Sequence, residues 1–485
     1  MKDSKRTWRT HIAIASMMTV VFLSALIIGS SILNFFLVPL SGPHEAMRKF
    51  PKNIDVAIVG TSRSYRAVNT AMASNITGIT WYNMSTPAQT SVEKLFYTRE
   101  LYKKHTPDVV FFEIQVSSYI REKHKFAGVT TVELSWDKIK HVADWDSNPI
   151  SFLRNTFFPF ARHLDKTFRV KKIAKNVKEK TTSRYVLEDY DNIVFKDSAD
   201  GLSVQDFVNF HGYRYTSQTI TPGSWGNEEF HGLDIMTNQF GEGKTSSKQI
   251  KALKEAIKYA QAKGSRVVLY NPPFPYMMLG RYSEIYQSFL EYTNQIATEL
   301  GTDFYDFTFV KKSKFNRHPL NNESQSLPEQ DYYYDGTHFN GAGATEYTRL
   351  LIDFYNDIII GGGEASDYLL DNVEEVFEDA PYIYQASLNF DKTAQAFKAS
   401  TLHGNNIKPL QYCWQYRYND QRQYNTIIDY DNGESELTAE ELFSLIDNVK
   451  DGKLRVRVLV RQQETQIEYE QFDTALVTIK NKKII

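Results

Sequence analysis

One cysteine, Cys413, stands in 485 residues. That excludes an intramolecular disulfide and any site built from clustered thiolates. Histidine is sparse, with 11 in all, and no His/Cys set has the spacing of a zinc site. The Gly-x-x-x-x-Gly-Lys loop that cradles phosphates is missing. No cofactor and no metal is therefore expected. Neither sign of charge dominates: 56 Lys and Arg face 58 Asp and Glu, a net charge of −2. So even a balance gives no electrostatic footprint for a nucleic-acid partner. Repeats and low-complexity tracts are also absent. Aromatics are the surplus, with 30 Tyr and 31 Phe; core packing absorbs most, and sugar or peptide contacts suit the rest.

Long hydrophobic runs are lacking everywhere but at the amino end. Residues 12–40 carry no charge and follow Lys2, Lys5, Arg6 and Arg9. As a helix this run crosses a ~30 Å hydrocarbon core. It exceeds the roughly 7–15 apolar residues of a signal peptide, and no Ala-x-Ala-like cleavage site follows. The basic flank makes residues 1–11 a cytoplasmic tail and places everything after Pro43 outside. The expectation is a single-pass protein of the cell membrane, held by the bilayer through this helix, with extracytoplasmic globular domains.

A chain of this length is too long for one core. Residues 54–59 and 108–114 are apolar runs typical of buried strands, 79–83 is a shorter one, and 91–105 has helical spacing. After residue 246 the rhythm resumes: helices at 247–262, 281–300 and 342–357, strands at 266–270 and 302–307. This alternation predicts an α/β fold with a doubly wound, mainly parallel sheet over residues 50–360. Residues 117–246 break the rhythm and read as an insertion that could roof the sheet edge. Its basic run, 169–180, reads as a solvated helix face, with attraction to anionic lipid or polymer as the alternative. Gly361-Gly362-Gly363 reads as a linker. Beyond it, residues 382–390, 412–418, 454–460 and 475–479 alternate or run β-branched, and 438–446 reads as a short helix. A β-sandwich of Ig-like type is expected over 365–485.

The chemistry gathers at two places. Strand 54–59 stops at Gly60 and is followed by Thr61, Ser62, Arg63 and Ser64, with a helix expected from near Arg66. Small polar residues at such a turn stand at the carboxyl edge of a sheet, where ligands bind in open α/β folds. Ser62 fits a nucleophile if a histidine base reaches it. An ordinary turn with a capping serine fits the same residues. The second place is Asp335-Gly-Thr-His338, just before the last helix of the α/β part. There an acid can orient a base. Metal ligation or capping would also account for that tetrad taken alone. His211, His231 and the run Tyr332-Tyr333-Tyr334 could border the site, though packing explains each as well.

Together Gly60-Thr61-Ser62-Arg63, Tyr82 to Gln89 and Asp335-Gly336-Thr337-His338 resemble the blocks of the SGNH (GDSL-like) hydrolase superfamily, over residues 54–357. The chain looks most like its membrane-anchored members that acylate or deacylate cell-surface glycans, the D-alanyl transfer protein family of teichoic acid modification among them. The resemblance implies a sheet of SGNH/flavodoxin-like type. It also implies acyl transfer or hydrolysis on a cell-surface polymer, with Ser62 as nucleophile, His338 as base and Asp335 as its orienter. Groups near Ser85, Asn83 and Gln115 would hold the oxyanion or substrate, and Arg63 would make a salt bridge or meet an anionic polymer. The sequence departs from the pattern at Ser85 and Ala88, where glycines are usual, and at Glu113-Ile114-Gln115, where an asparagine is usual. Those departures keep a rival open: a non-catalytic scaffold that binds glycan or a multi-pass membrane O-acyltransferase.

Overall fold

A computed structural model of the protein describes residues 2–40, 42–120, 126, 128–162, 170–182, 184–218, 237–274, 283–311, 337–379, 383–403, 409–419, 421, 423–463 and 471–485. Asp335, Tyr332, Tyr333, Tyr334 and His231 lie outside them. The chain divides into two compact units. Residues 1–216, 244–269 and 298–303 make the first, and 217–243, 270–297 and 304–485 the second.

The first unit opens with α1 (Lys2–Leu37). Its stretch Thr10–Leu37 is long and apolar enough to cross a membrane and is a candidate span or signal sequence. Then come α2 (Gly42–Lys49), β1 (Val56–Val59), α3 (Ser62–Ala67), α4 (Thr70–Thr77), β2 (Trp81–Asn83), α5 (Ser91–Leu101) and β3 (Val109–Glu113). β1 pairs in parallel with β2 on one side, Val56 opposite Trp81, and with β3 on the other, Val56 opposite Val109. All four residues of β1 and all five of β3 are buried, as strands covered on both faces must be. With β4 (Arg266–Asn271) and β5 (Asp303–Asp306) the parallel sheet has five strands in the order β2-β1-β3-β4-β5. That is the flavodoxin-like order, and its switch point lies between β1 and β3.

Local chemistry sets the helix bounds. α4 starts where the Asn69 side chain accepts Met72 N–H and stops at Gly78, whose φ of 72° suits a left-handed cap. α5 begins with a reciprocal capping box between Thr90 and Glu93. α3 begins at Ser62, not near Arg66 as the sequence suggested. The Thr61 hydroxyl caps it by accepting Arg63 N–H at 3.3 Å, so the helix follows the strand without an intervening loop. The strand–helix alternation does lapse after β3: among the described residues no strand occurs between β3 and β4. The stretch holds α6 (Ser117–Ile120), α7 (Trp136–Trp145), α8 (Pro149–Thr156), α9 (Val170–Thr181) and α10 (Val204–Asn209). α11 (Ser247–Ala262) then packs on α5.

In the second unit, α12 (Ser283–Leu300) and α13 (Gly341–Phe354) belong to the α/β part, and α14 (Val373–Asp379) leads to two antiparallel sheets. One has three strands, β6 (Ile383–Asp391), β7 (Ala396–His403) and β10 (Glu436–Thr438), in the order β10-β7-β6. The other runs β13-β12-β11-β8-β9, from β8 (Leu410–Tyr418), β9 (Asn425–Ile428), β11 (Gly452–Gln462), β12 (Gln471–Lys480) and β13 (Lys483–Ile484). Leu388, Phe397, Trp414, Leu437, Val456 and Ile479 share one core between the sheets, with α15 (Ala439–Leu445) contributing Leu442. The Trp414 ring N–H donates to the Glu434 carbonyl at 2.8 Å, which satisfies its polar edge inside that core.

Candidate functional site

The turn at the carboxyl end of β1 is gripped by one buried acid. Glu113, the last residue of β3, is fully buried. Its carboxylate accepts the Thr61 N–H, the Thr61 hydroxyl at 2.8 Å and the Ser64 hydroxyl at 2.8 Å. Three donors on one carboxylate make charge-assisted bonds that fix the turn to the neighbouring strand. Gly60 is required for the approach: a Cβ there would sit 2.6 Å from Glu113 Cβ and crowd the carboxylate as well. Lys94 of α5, also fully buried, donates to the Glu113 carbonyl and, at 3.1 Å, to the Ser118 hydroxyl. Burial pulls the Lys94 ammonium down to about 8, with the attraction of Glu113 opposing.

Asn83 ties the end of β2 to the same turn. Its amide donates to the Ser64 carbonyl at 2.9 Å and its oxygen accepts the Ser85 N–H at 3.1 Å. Thr86 N–H reaches the Gly60 carbonyl at 3.1 Å. Gln115 donates its amide to the Thr61 hydroxyl at 3.1 Å. So Ser62, Arg63, Asn83, Ser85 and Gln115, singled out from sequence, gather around one turn in the first unit. Within 61–65, Thr61, Arg63, Ser64 and Tyr65 are buried, and only Ser62 is partly open to solvent. Arg63, at 4% exposure, is set among the protein's own groups. The Ser85 hydroxyl is buried with no hydrogen-bond partner among the described residues. His338 belongs to the second unit, where its Nδ1 lies 3.1 Å from the Thr337 hydroxyl, just before α13.

His211 is a structural histidine. Its Nδ1 sits 2.9 Å from the Ser74 hydroxyl and 3.0 Å from the Trp81 carbonyl, and its own carbonyl accepts Asn83 N–H. Burial pushes it down to about 4, so it stays neutral. Gly212, at φ 83°, passes so close to Asn83 that a Cβ would strike its carbonyl. Glu113, which holds this turn, entered the sequence reading only as a departure from a motif. The available signal was an acid ending an otherwise apolar strand, 52 residues from the threonine it holds.

Glu93 is a second buried acid beside this region. It accepts Thr90 N–H at 3.1 Å and Gly128 N–H at 2.6 Å. Burial raises it from 4.5 to about 7, against those hydrogen bonds. A raised folded-state value means the fold favours the protonated form. Its contribution is complete below about 4.5 and is lost as pH rises through about 7. The shift corresponds to roughly 3 kcal/mol at most. Glu93→Gln should keep the thermal midpoint flatter between pH 5 and pH 8 than the parent does. Identical pH slopes in the two proteins would remove Glu93 from the titrating set.

No family model matches the sequence, and no curated protein matches it. Among solved structures the chain is similar to TesA, at 11% identity and a TM-score of 0.27, over 62% of this chain and 97% of that one. It is also similar to a candidate acylhydrolase from Bacteroides fragilis, at 13% identity and a TM-score of 0.27, over 64% of this chain and 92% of that one.

Proposed function

We propose that the chain is a membrane-anchored serine acyl esterase or O-acyltransferase acting outside the cell on a surface glycan or teichoic-acid-like polymer. One observation carries it: Ser62 is the sole partly open residue of a rigidly held turn at the β1/β3 switch point. In this reading the Ser62 hydroxyl attacks the acyl carbon, and His338, oriented by Asp335, takes its proton and returns it to the departing oxygen. Water then releases the acyl group as acid, or a polymer hydroxyl takes it as a new ester. Residues 12–40 anchor the protein, residues after Pro43 lie outside, and 365–485 form a separate β-sandwich domain. A multi-pass membrane O-acyltransferase is the natural partner for delivering acyl groups across the bilayer.

The scaffold reading has its own support. The Ser85 N–H is already taken by Asn83, and the Gln115 amide by Thr61. The Ser85 N–H would have to release Asn83 to serve an oxyanion, and the Gln115 amide, held on Thr61, has only its second N–H to offer. Turnover of a short-chain acyl ester by the full-length protein in detergent separates the two. Ser62→Ala should lower it on the order of 10³-fold or more while leaving the thermal midpoint near that of the parent. Equal turnover in the variant would leave the scaffold standing.

A further inference from the structure

The end of α1 is clamped rather than tethered. Lys180 of α9 donates its ammonium to the carbonyls of Asn34 at 2.8 Å, Phe35 at 2.7 Å and Val38 at 2.7 Å. Asn176, one turn back, donates to Phe36 carbonyl at 3.0 Å. The Phe35 and Phe36 carbonyls belong to the last turn of α1, where carbonyls lack helical partners. The Asn34 carbonyl also accepts Val38 N–H, and a lysine is the residue type suited to such an end. From another side, the Asn34 side chain donates to the Phe157 carbonyl at 3.2 Å and accepts Phe160 N–H at 3.1 Å. The segment just after α8 and the helix α9 therefore hold residues 34–38 from two directions.

The length of α1 fixes the level of that clamp relative to a bilayer. Thr10–Leu37 spans 28 residues. About 20 helical residues cross a ~30 Å core, so a span that enters at Thr10 leaves the hydrocarbon near residue 30. Residues 31–38 then rise through the headgroup layer, about 5–7 Å thick on each side, and the grip on 34–38 stands at its outer edge. The gripping elements have the composition that layer selects. α8 exposes Ile150 at 77% and Leu153 at 42%, together with Arg154. α9 exposes Lys171, Lys172, Lys175 and Lys178. Exposed apolar side chains on one gripping element and a lysine-rich face on the other suit the boundary between acyl chains and anionic headgroups.

We propose that α8, the turn after it and α9 form a collar that seats in the anionic headgroup layer and holds the first unit against the membrane. The proposal rests on reading α1 as a span, and the test separates the two. Cys413 is the single native cysteine and is buried, so an introduced cysteine can carry an environment-sensitive fluorophore. The full-length protein is reconstituted in vesicles of phosphatidylcholine alone or with about a third phosphatidylglycerol, labelled at Ser24→Cys in the span or at Ile150→Cys in the collar. Quenching by lipids that carry a nitroxide at headgroup depth or deep in the chains is then read. The Ser24 label should be quenched by deep lipids in both vesicles. The Ile150 label should be quenched by shallow lipids at least twofold more in the anionic vesicles, and Lys171→Gln/Lys175→Gln/Lys178→Gln should remove that difference. An unquenched Ser24 label overturns the span and the collar with it. A quenched Ser24 label with an Ile150 label at aqueous emission in both vesicles overturns the collar alone and turns α8 toward a protein partner. An Ile150 signal that ignores both lipid charge and the lysine changes also overturns it.

Discussion

Glu113→Ala should be among the most damaging single changes in the protein, although Glu113 touches no solvent. It would strip the acceptor from Thr61 N–H, the Thr61 hydroxyl and the Ser64 hydroxyl at once. Each orphaned donor in a dry site costs about 1–3 kcal/mol. It would also leave the Lys94 ammonium without the attraction that now offsets part of its burial, and uncompensated buried charges cost about 3–5 kcal/mol. A lowering of the thermal midpoint by ten degrees or more, or failure to accumulate, is the expected outcome. Glu113→Gln removes the charge at nearly constant volume but also turns one acceptor oxygen into a donor facing Thr61 or Ser64, so it too should destabilise. Adding Lys94→Met to Glu113→Gln should recover part of the loss, because it removes the charge left alone. A Glu113→Ala protein that melts with the parent would show that the turn is held by something else.

The parts of the fold that were legible from sequence are those written locally. Residues 56–59 are apolar and stop at a glycine, so both the strand and its end could be read. The apolar spacing over 247–262 and Gly264 just beyond it marked α11, while the Ser246 cap shows only in the structure. What escaped depends on distant partners. β7 and the short β9 are polar in part, and their strand character comes from pairing with β6 and β8. The capping role of Thr61 was readable but was overshadowed by reading 61–64 as a loop. The role of Glu113 was not readable, because its three donors lie 49 to 52 residues earlier in the chain. Lys180 is the same kind of case. Its place in a basic run suggested a solvated face, while the folded chain spends it on carbonyls 142 to 146 residues away.

The second large effect concerns the base. A serine hydroxyl is a weak nucleophile until a base takes its proton. Reaction of Ser62 with a serine-directed fluorophosphonate should therefore collapse in His338→Ala. Asp335→Asn should also slow it by orders of magnitude, since a serine protease that loses the orienting carboxylate loses about 10⁴ in turnover. Arg63 supplies a comparison from within the turn. Its buried side chain has no assigned step, so a folded Arg63→Lys protein should still be labelled.

A membrane-impermeant fluorophosphonate, applied to intact cells expressing the full chain, tests the central claim most directly. After purification and digestion, the peptide carrying Ser62 is examined by mass spectrometry. The account predicts an adduct on Ser62, absent in Ser62→Ala and reduced at least a hundredfold in His338→Ala. An unmodified Ser62 in both intact cells and the purified, folded protein would contradict it.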